Sequence, residues 1–242
     1  MDNHKIMPEL VRLPTTQGER QSDKVFDILQ KAITRCELPP GEIVSEPQLE
    51  QNYGFGRVPL RLAMDRLVQL GLVKPLHRRG YEVAPITLSD VRHTFELRLM
   101  VEPPTTRMAT GKVDIAALRA LGPEETELAT PTDPATQERV IERNRNFHLL
   151  IAEAAGNPKV VTLLGHVLSD IDRVYYFGLL TDSRFLDMRD DHCKLIEALA
   201  ANDGAKAEKI SRKHIETGYA IVVDAIVNSS SLSRTTVQVM RS

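Results

Sequence analysis

The strongest constraint in this sequence is a hydrophobic period that changes once and then changes back. Up to about residue 70 the apolar residues recur at three- and four-residue spacing in three short stretches. Residues 72–83 then alternate in the manner of strands, and after Ala84-Pro85 only long helical periods remain. One short strand region between helical runs cannot build a sheet-based fold, so the chain is expected to be mainly α with a single small hairpin. Its 242 residues suit one large domain or two modest ones, and the break at Pro85 predicts two.

Residues 1–22 carry two prolines and no sustained apolar period, and read as a mobile arm. The first domain is expected over 23–85. Val25, Ile28, Leu29, Ala32 and Ile33 give one apolar helix face, which ends at Leu38-Pro39-Pro40-Gly41 because proline withholds a donor and blocks continuation. Ser45, with Gln48 three residues on, has the capping-box pattern and opens a short second helix that stops at Gly54. A third helix runs from about Arg57 to Leu70, with Leu60, Ala63, Met64 and Leu67 inward and Gly71 as its stop. Residues 72–83 then read as two strands joined by a basic turn, with Arg79-Gly80 near the tip.

Three short helices followed by a basic hairpin is the order of a winged helix-turn-helix, whose third helix enters the DNA major groove. The formal charge of -2 argues against this, but it hides a partition. Residues 1–85 hold 12 basic and 11 acidic side chains, whereas 86–242 hold 19 and 22. Between Phe55 and Tyr81 there are six Lys/Arg (Arg57, Arg61, Arg66, Lys74, Arg78, Arg79) and one acid, Asp65. Binding by bulk charge is therefore excluded, and recognition must rest on a few placed arginines. Arg57 and Arg61, four apart, share the face away from the apolar stripe, where they suit phosphate and guanine-edge contacts.

The stretches Leu38-Pro39-Pro40-Gly41-Glu42-Ile43-Val44-Ser45-Glu46, Gly56-Arg57-Val58-Pro59-Leu60-Arg61-Leu62-Ala63-Met64 and Leu70-Gly71-Leu72-Val73 resemble the N-terminal domain of GntR-family transcriptional regulators. The resemblance implies DNA contacts at Arg57, Arg61 and, on the wing, His77 and Gly80. Two departures stand out: the family usually has Ser or Thr where Gly56 stands and Glu where Leu62 stands. Gly56 weakens the helix cap and removes a hydroxyl that could reach a phosphate, while Leu62 removes an acid near DNA, so operator preference is expected to differ from the family norm.

Residues 86–228 read as an all-α bundle. Its first helix, Ile86 to about Gly111, is expected to break or kink at Pro103-Pro104. A short helix follows near Asp114 to Leu121, then a Pro- and Thr-rich loop over 122–134, then helices at about 135–155, 158–180, 184–201 and 205–227. The polar, Ser-rich tail 229–242 is expected to fray. Three histidines fall at core-facing positions. His148 follows Asn144 and Phe147 on one stripe with Ile151 and Ala155; His192 shares a stripe with Leu195, Ile196 and Leu199; His214 follows Ala207 and Ile210. Asp203, in the turn between the last two helices, is 11 residues from both His192 and His214. In an antiparallel hairpin these two imidazoles should stand level. Three inward imidazoles with an amide oxygen, Asn144, one turn from the first make a mononuclear divalent-metal site, for Zn, Ni, Cu or Fe. A hydrolytic enzyme is the competing reading, but there is no HExxH pattern and no acid placed beside a ligand as an evident general base.

Glu96-Leu97-Arg98-Leu99-Met100-Val101-Glu102, Asn144-Arg145-Asn146-Phe147-His148 and Ala154-Ala155-Gly156-Asn157-Pro158 resemble the C-terminal FCD ligand-binding domain of the FadR-like branch of GntR regulators. That resemblance implies metal ligands at Asn144, His148, His192 and His214, where the family's common first ligand is Asp. It also suggests Arg98 as the holder of an effector carboxylate, against a plain salt bridge to Glu102. Together the resemblances imply a homodimeric, cytoplasmic repressor of a catabolic operon that binds an inverted-repeat, double-stranded DNA operator and senses a small organic acid on a divalent metal, Zn or Ni. A metal-free regulator whose histidines take the effector directly, or a metal enzyme with an attached DNA-binding domain, are the alternatives. No run reaches the roughly 18–20 apolar residues of a membrane span, and Cys36 and Cys193 read as two reduced thiols.

Overall fold

The computed structural model describes residues 17–122, 133–179 and 185–228. The expected tail 229–242, the first part of the expected arm and most of the 122–134 loop lie outside the described residues. Two compact units result: one comprises Ile43–Glu82 with the helix residues before Ala32, the other Ala32–Glu42 with the chain from Val83 onward.

In the first unit α1 (Gln17–Thr34) begins earlier than the expected start near Asp23, so part of the expected arm is helical. Val25, Phe26 and Leu29 are buried, but Ile28, expected on the same face, is exposed. Strand β1 (Ile43–Val44) precedes α2 (Glu46–Tyr53), which Ser45 and Gln48 close with a reciprocal capping box, as the spacing predicts. Gly54 ends α2 in the left-handed region. Helix α3 (Arg57–Gln69) buries Leu60, Ala63, Met64 and Leu67. It is tied to α1 by Arg66, whose Nη1 donates to Asp23 Oδ1 at 2.7 Å and whose guanidinium lies 3.8 Å from the Phe26 ring centroid. Strands β2 (Val73–Leu76) and β3 (Gly80–Val83) follow, and the sheet order is β1-β3-β2. β1 pairs antiparallel with β3, Ile43 opposite Glu82 and Val44 opposite Tyr81.

From Leu88 onward the described elements of the second unit are helices: α4 (Leu88–Ala109), α5 (Ile115–Leu121), α6 (Pro134–Ala154), α7 (Pro158–Val174), α8 (Phe185–Ala200) and α9 (Gly204–Asn228). A π-helical turn, Tyr175–Leu179, extends α7. The expected cap at Asn157-Pro158 is formed, with Asn157 Oδ1 accepting from the Lys159 amide. Helix α4 corrects one expectation, because it continues through Pro103 and Pro104. Proline costs a helix interior about 3 kcal/mol, yet here Pro103, Thr105, Thr106 and Ala109 are buried beyond it. The Thr106 hydroxyl reaches Ser211 Oγ of α9 at 3.4 Å. Packing against α9 thus continues past the prolines and outweighs the lost backbone bonds.

Candidate functional site: a DNA-reading helix and a buried histidine cluster

Arg57 opens α3 and is exposed; Arg61, one turn on, is exposed as well. Arg61 has a partner the sequence reading missed: its Nη2 donates to Glu46 Oε2 at 3.3 Å, while the Tyr81 hydroxyl donates to Glu46 Oε1 at 3.3 Å. Glu46, at the start of α2, thereby links Arg61 of α3 to Tyr81 of β3. The Gly56 cap has no side-chain hydrogen bond, as its lack of a hydroxyl requires. His77 is exposed in the β2–β3 turn, where Arg78 takes a left-handed backbone (φ 60°). Gly80 has φ 100°, and a Cβ there would overlap the Val44 carbonyl of β1. Its glycine is therefore required by the close approach of β3 to β1, whatever it touches on DNA.

In the helical unit, α6, α8 and α9 bring His148, His192 and His214 together. One ring nitrogen from each lies within 4.8 Å of the others, and all three side chains are buried. The level placement of His192 and His214 inferred from their spacing appears as ring centroids 4.7 Å apart, and His148 lies 5.1 and 5.3 Å from the two. Phe147 stacks on His192, centroids 4.2 Å apart and planes 18° from parallel, which fixes that ring. His93 and His166 are exposed and take no part.

Arg98 and Glu102 of α4 complete the cluster. Arg98 is fully buried, and its Nε donates to Glu102 Oε2 at 2.6 Å, so the salt bridge weighed in the sequence reading is formed. The same guanidinium also reaches His148, with Nη2 at 3.0 Å from Nε2. A guanidinium has only donors, so Nε2 must accept and Nδ1 must carry the imidazole proton. That nitrogen lies 2.8 Å from Glu102 Oε1. An acid does therefore stand beside a candidate ligand, contrary to the sequence reading, but it is committed to Arg98. Burial would raise the Glu102 carboxyl, and Arg98 with His148 overcomes this and holds it well below the usual carboxylate range. Burial lowers His148, with Arg98 adding to the effect and Glu102 opposing it. His214 is pushed well below its ordinary value, first by burial and then by His192, His148 and Arg98.

His148 and His214 are thus held neutral, the form that ligates metal. Neither ring nitrogen of His214 has a hydrogen-bond partner in the protein, an arrangement that costs free energy unless a ligand fills it. These features fit a divalent ion. Asn144, half-buried one turn before His148 on α6, adds a neutral oxygen on the same stripe. His148 can join only if Arg98 releases its Nε2, because one lone pair cannot serve both.

Residues 21–83 match the profile of bacterial regulatory proteins of the gntR family, and residues 93–217 match the FCD domain. The chain belongs to the GntR family. It is a DNA-binding transcriptional regulator with an FCD domain, and its relatives are regulators rather than enzymes. The uncharacterized HTH-type transcriptional regulator YdhC of Bacillus subtilis (strain 168) is 27% identical over 192 residues, 78% of this chain and 84% of the relative. The HTH-type transcriptional repressor RspR of Escherichia coli (strain K12) is 23% identical over 205 residues, 85% of this chain and 89% of the repressor. Among solved structures, E. coli McbR/YncC superposes with a TM-score of 0.67 at 17% identity, covering 84% of this GntR chain and 97% of that one. A GntR-type regulator from Rhodococcus sp. RHA1 gives 0.68 at 20% identity, covering 85% and 99%. Both share the fold. Among the described residues no helix is long and apolar enough to cross a membrane.

Proposed function

We propose that this GntR-family regulator is a ligand-responsive repressor of a catabolic operon, binding an inverted-repeat operator as a homodimer and releasing it when a small organic acid enters the histidine cluster. The observation that carries the sensing half is the buried cluster itself: three converging imidazoles, with neither His214 nitrogen hydrogen-bonded and the Asp191 carboxylate 4.0 Å from its Nδ1, beside the Arg98–Glu102 pair. Apolar residues would serve a merely structural core at lower cost. Asn144, His148, His192 and His214 would hold a divalent ion such as Zn or Ni, which supplies a positive centre for a carboxylate. Because Asn144 is neutral, that charge stays uncompensated and favours an anionic partner. Arg98 is the residue placed to orient the carboxylate.

A metal-free version of the same sensor is favoured by one observation, the occupation of His148 Nε2 by Arg98. Elemental analysis of untagged, chelator-free protein separates the two: about one metal per chain supports the first, and less than about a tenth with unchanged operator release supports the second. On DNA, Arg57 and Arg61 are the base- and phosphate-contacting residues, with His77 and Gly80 on the wing. Arg57→Ala or Arg61→Ala should each cost about 1–3 kcal/mol of specific binding. A double variant that footprints a native operator as well as the wild type would remove α3 as the reading helix.

A further inference from the structure

The outward face of α3 is not where its arginines lie. At about 100° per residue, Val58, Leu62, Asp65 and Gln69 cluster within about 60° on the side opposite the buried Leu60, Ala63, Met64 and Leu67, while Arg61 and then Arg57 lie along one side of them. Exposure agrees: Val58 is 71% and Leu62 45% exposed. Scattered exposed apolar residues are ordinary. Two of them four apart, sharing their face with Asp65 and Gln69 and bordered by arginine, leave apolar surface exposed among the described residues.

We infer that Val58 and Leu62 read thymine 5-methyl groups in the major groove, making this regulator select thymine at defined operator positions without hydrogen-bonding those bases. The inference rests on the assignment of α3 as the reading helix. The thymine methyl is the apolar feature that base edges present in the major groove, and valine and leucine can meet it but cannot hydrogen-bond a base. Charge complementarity commits the strip to DNA rather than to a protein partner. Arg57 and Arg61 border it on α3, and Lys74, Arg78 and Arg79 stand exposed on the neighbouring hairpin. Leu62 carries particular weight, since an acid there would join Asp65 on this face and accept from cytosine, whereas leucine favours A·T pairs.

The test uses the full chain and an operator recovered by repeated selection from random DNA. Each thymine of one half-site is replaced in turn by deoxyuridine, which removes the methyl and nothing else, and affinity is read by fluorescence anisotropy. At one or two positions the wild type should weaken about fourfold per methyl lost. Leu62→Ala or Val58→Ala should bind the thymine and uracil forms of its own position equally, with an unchanged thermal melt. Wild-type protein that ignores every substitution overturns the inference, as do variants that keep the full penalty or change only self-association. If selection recovers no sequence at all, the reading-helix assignment fails and this inference with it. A recovered operator that loses affinity with Arg57→Ala but shows no methyl effect leaves the former standing and removes only the latter.

Discussion

His148 sits between two groups of opposite charge, and that placement governs what each neighbouring residue can do. Arg98 donates to its Nε2 and to Glu102, and Glu102 faces its Nδ1, so three buried side chains form one closed set. Removing one member of a buried ion pair leaves the other charged and unpaired, which costs about 3–5 kcal/mol. Glu102→Gln should therefore lower the urea-unfolding free energy by about that amount, while Arg98→Met with Glu102→Leu should recover most of it. A Glu102→Gln loss below about 1 kcal/mol would show that the pair is not closed in solution. The three histidines were legible because each replaces an apolar residue on a helical stripe. Glu102 was read only as the salt-bridge partner of Arg98 and not as a neighbour of the histidines, although a signal was present. Val91, Phe95, Arg98, Glu102, Thr105 and Ala109 follow one buried stripe of α4, so the pair had to face inward. Spacing places a charge on a face, but which neighbouring helix covers that face is a tertiary fact.

Among the elements, α4 shows where local rules give way. The caps at Ser45 and Asn157, the stop at Gly54 and the hairpin all follow from local chemistry and appear as expected. Continuation through Pro103-Pro104 does not, because it depends on burial against α9 that no local pattern reports. The two prolines also differ: Pro103 is buried, whereas Pro104 is exposed, as is Met100, whose carbonyl it leaves without a helical donor. Water can serve that carbonyl, so Pro104 fills no packing role to offset its helix cost. Pro104→Ala should stabilise the protein by about 1–3 kcal/mol, visible as a higher melting temperature. Pro103→Ala should gain less, since it also empties core volume. A lower melting temperature for Pro104→Ala would mean the proline fixes a bend that the α4–α9 packing requires.

For the molecule as a whole, the charge partition and the two compact units describe a reader and a sensor with different electrostatics. The basic strip is confined to α3 and the hairpin, and the histidine cluster is closed off inside the helical unit. Communication between such sites is a coupling free energy, and it must be reciprocal. An ion or acid that loosens the operator can do so only by preferring the DNA-free state, so DNA must weaken its binding by the same factor. Zinc titrations with and without the selected operator measure both directions. If zinc weakens operator binding tenfold, the zinc Kd should rise tenfold when DNA is saturating, and His214→Ala should abolish both shifts while leaving metal-free operator affinity intact. Release of DNA by zinc in the His214→Ala protein would place the effect outside the histidine cluster, on exposed groups such as His77 of the wing. Equal zinc affinity with and without DNA, alongside a zinc-independent operator affinity, would leave the cluster without a regulatory role for this ion and shift the sensing to the organic acid bound by Arg98 alone.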